Sequence, residues 1–477
     1  MSLTNDSDKL FQAAIRSVKA DAFADRGAPI KLSTKPLRVV VRKQEGKEPD
    51  AWVAESGFVV RRVGLESGKT KQLFKGHSGP VTSLDFYTTP SGRELMISGS
   101  WDKSVRVWDI LTKTCLSTTI AHIDFVKTIH VLPSLHILLT GSSDKDLRAW
   151  DLSGLDALAA SLSSFSSTLA SEPAIPQAAE GAAPPPAVAS SPLPFLFALK
   201  SHTRPIECLS SYPLYAALPT GTAEEDADVS DRERTGHWAV VSADTMGAVK
   251  VWEVWRESDG KAKGELRSEA RNHEAGVWDL VVGQEGELWT ASADNSILLS
   301  RLSLSSPSTP PIPLLRIPLP SQARSLLPLP LSPSLPSLPS PPPPYLITGT
   351  SDELLRVFDL SRSELDPDAT RETKRGWTGL PLAEGTTPEG CVNEIEAHTH
   401  EVVQLRAYTV LNKDNGRREP WVLSASLDGT LRRWKAEELG TKKWDKVVVV
   451  PVEEEGVKEG LLTAEEEAEL EALMADD

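Results

Sequence analysis

ISGSWDKSVRVWD at 97–109 and LTGSSDKDLRAWD at 139–151 share one cadence, and that cadence decides the fold. An apolar strand runs into Ser or Thr, a turn Asp follows, and a second strand closes on an aromatic. Four more segments keep the pattern: VVSADTMGAVKVWE (240–253), WTASADNSILLSR (289–301), ITGTSDELLRVFD (347–359) and LSASLDGTLRRWK (423–435). The turn Asp stands six residues ahead of the terminal position in five of them, and eight ahead in the third, from Asp244 to Trp252. A His followed by an apolar strand lies upstream of five: GHSGPVTSL (76–84), AHIDFVKTI (121–129), SHTRPIECL (201–209), NHEAGVWDL (272–280) and AHTHEVVQL (397–405). Strands this short cannot bury their own apolar face, so each unit must stack on its neighbours.

This pattern, over roughly residues 36 to 450, resembles the WD40 repeat family. The resemblance implies an all-β fold of radial four-stranded blades. It also implies a hydrogen-bonded polar chain inside each blade. The complete chains would be His77–Ser98–Asp102–Trp108, His122–Thr140–Asp144–Trp150, His202–Ser242–Asp244–Trp252 and His398–Ser424–Asp428–Trp434. The set His273–Thr290–Asp294 ends in Ser300, and Thr348–Asp352–Phe358 lacks a His. Those two blades are expected to rely more on apolar packing.

LRVVVRK (37–43), AWVAES (51–56), FVVRRVG (58–64) and TKQLFKG (70–76) read as four strands with turns between them. They bring the count to a seven-bladed propeller over 36–452. KVVVVPV (446–452) can supply the outer strand of the last blade, with strand 37–43 as the alternative. Terminal positions are spaced by 42, 102, 48, 58 and 76 residues, against about 40–45 for a bare repeat. The excess locates insertions at 154–193, 216–236, 330–344 and 362–388, all read as loops. Residues 1–35 form an N-terminal extension. Within it, 6–24 places Leu10, Phe11, Ala14, Ile15 and Val18 on one helical stripe. At the other end, Thr463 and Glu466 make a capping box for a helix over 463–475.

The net charge of −16 is uneven. Residues 453–477 hold 11 acids and one Lys, so this tail carries −10 and everything before it only −6. A chain of this sign lacks the positive stripe of a general nucleic-acid binder, and direct nucleic-acid binding is not expected. The longest low-charge stretch, 302–346, contains 15 Pro and cannot be a membrane helix. Cys115, Cys208 and Cys391 lie far apart, which fits a reducing compartment, cytoplasmic or nuclear. GLESGKT (64–70) has Val63 where a phosphate loop requires Gly. PPPPY (341–345) has the form that aromatic-grooved domains accept, unless Tyr345 opens a strand. The recurrence of His, Asp and Ser from blade to blade marks architecture, and no catalytic residue, metal ligand or cofactor is expected.

In the fold implied, the turn between the middle strands and the start of the innermost strand share one rim of the channel. Trp101 lies in such a turn, with Ser143, Ala243, Ala293, Ser351 and Leu427 as its counterparts. Thr82, Lys127, Glu207, Trp278 and Val403 come five residues after each His, with Phe125 and Arg204 close by. Trp101, Phe125, Lys127, Arg204, Glu207 and Trp278 are therefore the candidate partner-binding residues. The chain reads as a non-enzymatic intracellular scaffold or adaptor for other proteins. Two narrower versions compete: an escort for a basic client such as a histone or ribosomal protein, suggested by the tail, and a ubiquitin-pathway adaptor. For the latter, NHEAGVWDL and LWTASAD (288–294) resemble ubiquitin-binding propellers locally. The box of cullin-ligase receptors is missing, since the matching positions read WDIL, WDLS and WKAE.

Overall fold

The computed structural model describes residues 15–43, 47–160, 191–216, 232–332, 335, 341–361, 382–383, 385–412 and 416–444. The chain divides into a body, Phe23–Trp444, and a second unit made of Met1–Ala22 and Asp445–Asp477. Of the second unit, 15–22 is described and is helical. The expected helix at 463–475, the strand at 446–452 and the acidic tail lie outside the described residues.

The body is a seven-bladed β-propeller of seven four-stranded antiparallel sheets. Its inner strands, one per blade, are Pro36–Arg42, Val81–Thr88, Val126–Leu132, Ile206–Tyr215, Val277–Val282, Ala323–Pro328 and Val402–Leu411. Each packs on the next, and the first packs on the last, closing the ring. Two carboxylates pin neighbouring inner strands together. Asp85 accepts from the amide of Val131 at 2.8 Å, and Asp279 from that of Leu326 at 3.2 Å. The core lies between blades, as the pattern of period two requires. Tyr87, Leu95 and Ile97 of blade two, for example, bury against Ile129 and Trp150 of blade three.

Strand 37–43 is the innermost strand of blade one, which excludes it as the last blade's outer strand. That outer strand is Ile30–Lys31, whose residues pair with Leu431 and Thr430. The propeller sheet thus begins ahead of residue 36. A short strap leads into this strand and is clamped by two consecutive arginines. Arg432 donates to the carbonyls of Phe23, at 2.7 Å, and Arg26. Arg433 donates to Ala28 at 3.1 Å and to Leu65 in blade one. Gly27 crosses so close to Trp434 that a Cβ would sit 2.6 Å from the indole, and its φ is +64°, so only glycine fits without strain.

The insertions hold more structure than loops where they are described. Residues 155–160 are helical, with Leu155 and Ala159 buried against blades two and three. Arg234–Asp244 is one long strand that absorbs the end of 216–236. Tyr345 opens the strand Tyr345–Thr350 and packs against the cluster beneath the short helix Ala436–Thr441. Its ring is partly buried in this packing.

Candidate functional site

One hydrogen bond repeats in all seven blades and defines a rim. The first amide of the turn between the two middle strands donates to a carbonyl in the loop entering the inner strand. The donors are Ser56, Trp101, Ser143, Thr245, Ala293, Ser351 and Leu427; the acceptors are Lys35, Pro80, Phe125, Pro205, Gly276, Gln322 and Glu401, at 2.8–3.1 Å. Seven turns and seven entry loops therefore form one continuous face. Thr245, rather than Ala243, occupies this position in blade four; Ala243 is buried inside its strand.

The polar chains anchor this face. In blade two, Trp108 donates to Ser98 Oγ at 2.9 Å, His77 Nε2 meets that hydroxyl at 2.8 Å, and His77 Nδ1 meets Asp102 at 2.8 Å. The same sequence of contacts runs Trp150–Thr140–His122–Asp144 at 3.0, 2.7 and 2.9 Å. It recurs as Trp252–Ser242–His202–Asp244 at 2.8, 2.7 and 3.0 Å, and as Trp434–Ser424–His398–Asp428 at 3.0, 2.8 and 3.0 Å. Burial lowers the pKa of His77 and His398, which keeps them neutral, so Nδ1–H donates to the carboxylate and Nε2 accepts from the hydroxyl. Burial alone would raise the carboxyls of Asp144 and Asp428; hydrogen bonds from the His partners and nearby groups hold both at about 2. The Ser or Thr hydroxyl donates to His while accepting from Trp. It is packed into a structural chain and is not poised as a nucleophile.

Four blades depart from this arrangement. In blade four, Asp244 sits at the end of its strand, and Met246 takes the position of the turn Asp. The following turn residue needs φ near +80°, and a Cβ there would lie 2.5 Å from the carbonyl of His273, so it is Gly247. Blade six, lacking a His, uses a buried arginine instead of apolar packing alone. Arg356 is 2 % exposed and donates to Asp352 at 2.6 Å, to Glu394 at 3.0 Å and to Thr350 at 2.7 Å. Blade one buries Glu55 completely and pairs it with Arg61 and Thr34. In blade five, His273 binds Asp294 and Thr290, both at 2.8 Å, and the Thr290 hydroxyl lies 3.4 Å from the Leu298 carbonyl.

The structure sorts the candidate residues into separate groups on the rim. Trp101 and Phe125, from adjacent blades, stack at 5.1 Å and 19° and remain 39 % and 40 % exposed. Lys127 pairs with Glu207 at 3.1 Å across the next seam. Arg204 is exposed in the loop entering blade four. Trp278 stands apart from the Trp101 pair: Arg324 lies 4.4 Å over its ring and pairs with Glu401 at 2.5 Å. Trp278 is half-covered, with its indole N–H buried and without a hydrogen-bond partner. Sequence reasoning missed four rim residues: Phe58, Ile123, Met246 and Arg324. Phe58 and Met246 stand where other blades place Lys or Asp. Arg324 occupies the same inner-strand position as Lys127 and Trp278, in the blade that lacks the marker His.

Among the described residues, no group of three or more His, Cys, Asp or Glu is placed to hold a metal, and no helix is long and apolar enough to cross a membrane. The repeated rim and polar chains define a propeller of WD repeats. A family profile described as "WD domain, G-beta repeat" matches residues 68–109 and 113–151. An uncharacterised WD repeat-containing protein of Schizosaccharomyces pombe is 24 % identical over 57 % of this chain and 59 % of its own length. A periodic tryptophan protein 2 homolog of S. pombe is 38 % identical over 13 % of this chain and 7 % of its own. WD repeat-containing protein 18 of Mus musculus is 47 % identical over 10 % of this chain and 11 % of its own. The chain thus spans little more than half the length of the first of these relatives and small parts of the others. It carries WD40 repeats in a seven-bladed β-propeller.

Proposed function

We propose that this chain is a non-catalytic protein-interaction module, an adaptor or scaffold whose partner docks on the rim of blades one to four. The observation that carries this reading is the exposed Trp101–Phe125 stack. Aromatic rings normally bury; two that stack on each other at a rim, with about two-fifths of each still open, are the anchor type that dominates protein interfaces. Every His of the polar chains and every hydroxyl they touch is engaged in architecture, and among the described residues nothing converges as a nucleophile, base and oxyanion site would. Three free, scattered cysteines support the cytoplasm or nucleus as the working compartment.

The test is quantitative affinity purification of the full chain beside Trp101→Ala and Phe125→Ala variants of unchanged melting temperature. Specific partners should be depleted with both variants. Partner recovery unchanged in both would refute a rim-docked adaptor. A basic client remains a second reading, carried by the −10 tail. It is distinguished by deletion of 453–477, which should then abolish recovery at low salt while the Trp variants leave it intact.

A further inference from the structure

The rim of blades one to four differs from that of blades five to seven. The turn position held at φ between +60° and +81° is Phe58, Lys103, Lys145 and Gly247 in the first four blades, and Asn295, Glu353 and Gly429 in the last three. On this sector, besides the Trp101–Phe125 stack, the apolar groups Phe58, Ile123 and Met246 are 44 %, 76 % and 51 % exposed. Among them stand five exposed cations: Lys35, Lys75, Lys103, Lys145 and Arg204. No described carboxylate comes within ion-pair distance of any of them. The carboxylates of this sector have other partners: Asp102 and Asp144 bond His77 and His122, Glu55 pairs with Arg61, Asp146 with Arg148 and Lys200, and Glu207 with Lys127. Asp124 accepts from the Phe125 amide at 2.8 Å. A chain of net charge −16 therefore places five cations without an ion-pair partner among apolar groups along one sector of the rim.

Like charges left unpaired on one surface repel each other, so the arrangement is stabilised by an incoming anion. The apolar side chains between them require that this anion bring apolar groups of its own. We propose that the rim of blades one to four binds an acidic protein segment carrying apolar or aromatic side chains, a specificity that rests on the rim-docking reading above. A single-stranded nucleic acid fits less well. Ile123 and Met246 offer no π face for a base, and Trp101 already has one face on Phe125. The acidic segment also accounts for the phenylalanine held in the left-handed region at Phe58, a conformation that costs about 1–2 kcal/mol and persists where a surface uses it.

A phage library of random 12-residue peptides panned against the full chain tests this directly. The enriched peptides should be net negative and carry apolar residues. By fluorescence anisotropy, the leading peptide should lose about 30-fold in affinity with Trp101→Ala. It should lose at least tenfold with Lys103→Glu/Lys145→Glu/Arg204→Glu, and binding should weaken as salt rises. All four positions are exposed, and circular dichroism with melting checks that each variant folds. Peptides without acidic bias that still depend on Trp101 would overturn the charge assignment and leave the rim-docking reading standing. Peptides indifferent to Trp101, or no enrichment at all, would overturn both. Displacement of the peptide by a 12-mer of oligothymidylate at lower concentration than by the unlabelled peptide would overturn the acidic-segment proposal in favour of nucleic acid.

Discussion

Replacing Asp144 by Ala tests whether the polar chains hold the blades or merely decorate them. The Asp144 carboxylate accepts from His122 Nδ1 at 2.9 Å, from the amide of Asp146 at 3.1 Å and from that of Ile123 at 3.3 Å. Its loss leaves the buried His122 N–H without a partner, which costs about 1–3 kcal/mol. A second route gives a similar figure. Opposing the desolvation that would raise it, the hydrogen bonds bring the carboxyl from 3.8 to about 2. That difference is roughly 2 kcal/mol of stability at neutral pH. The folded-state pKa is depressed, so the contribution is complete above the unfolded value and disappears as pH falls through the folded one. The variant should therefore unfold about 2 kcal/mol more easily in urea at pH 7, with a melting shift of about 2–3 °C for a body of this size. Wild type and variant should converge between about pH 4 and pH 2. Asp359→Ala is the control, since Asp359 caps only Ser361 in an exposed turn; it should change stability by no more than about 0.5 kcal/mol. Equal losses for the two variants, or a gap between wild type and Asp144→Ala that persists unchanged at pH 2, would refute the reasoning.

Arg356→Met should destabilise by about 3 kcal/mol in chemical denaturation, because it leaves Asp352 and Glu394 facing each other without their cation; Arg356→Lys should recover only part of this, lacking the fork. Phe58→Gly should raise stability by about 1 kcal/mol by relieving a left-handed φ, while weakening partner binding measured by anisotropy. A chain lacking residues 1–31 exposes the edge of Thr430–Lys435 and leaves Arg432 without the Phe23 carbonyl; it should melt lower and self-associate by light scattering.

The ring and its register were readable because each blade repeats the same strand, turn and aromatic, and a repeat that cannot bury itself alone has few solutions. Blade one was readable from alternation although it lacks both His and turn Asp. Closure was not readable. Two residues, Ile30–Lys31, carry no periodicity, and their role depends on Arg432 and Arg433 some 400 residues away reaching back to backbone carbonyls. The polar chains of blades two, three and seven keep the spacing that marks them. Asp244 keeps its hydrogen bond to His202 from a different place in the turn, and Arg356 replaces His from the opposite strand, because a charge or hydrogen-bond requirement can be met from any neighbouring strand. For the rim, the cadence reveals which residues share a face. It does not reveal which touch across a seam, so the stacking of Trp101 on Phe125 and of Arg324 on Trp278 emerged only with the fold.

Site-specific photo-crosslinking in cells measures the central claim directly. A benzophenone residue placed at Trp101 probes the rim; the same residue at Leu111 and Leu411, 88 % and 52 % exposed, probes the opposite face, where the other two sets of turns lie. Rim docking predicts discrete crosslinked partner bands from position 101 and none from 111 or 411; an acidic partner segment predicts in addition that Lys103→Glu/Lys145→Glu abolishes the bands. Partner bands from 111 or 411 with none from 101 would contradict it.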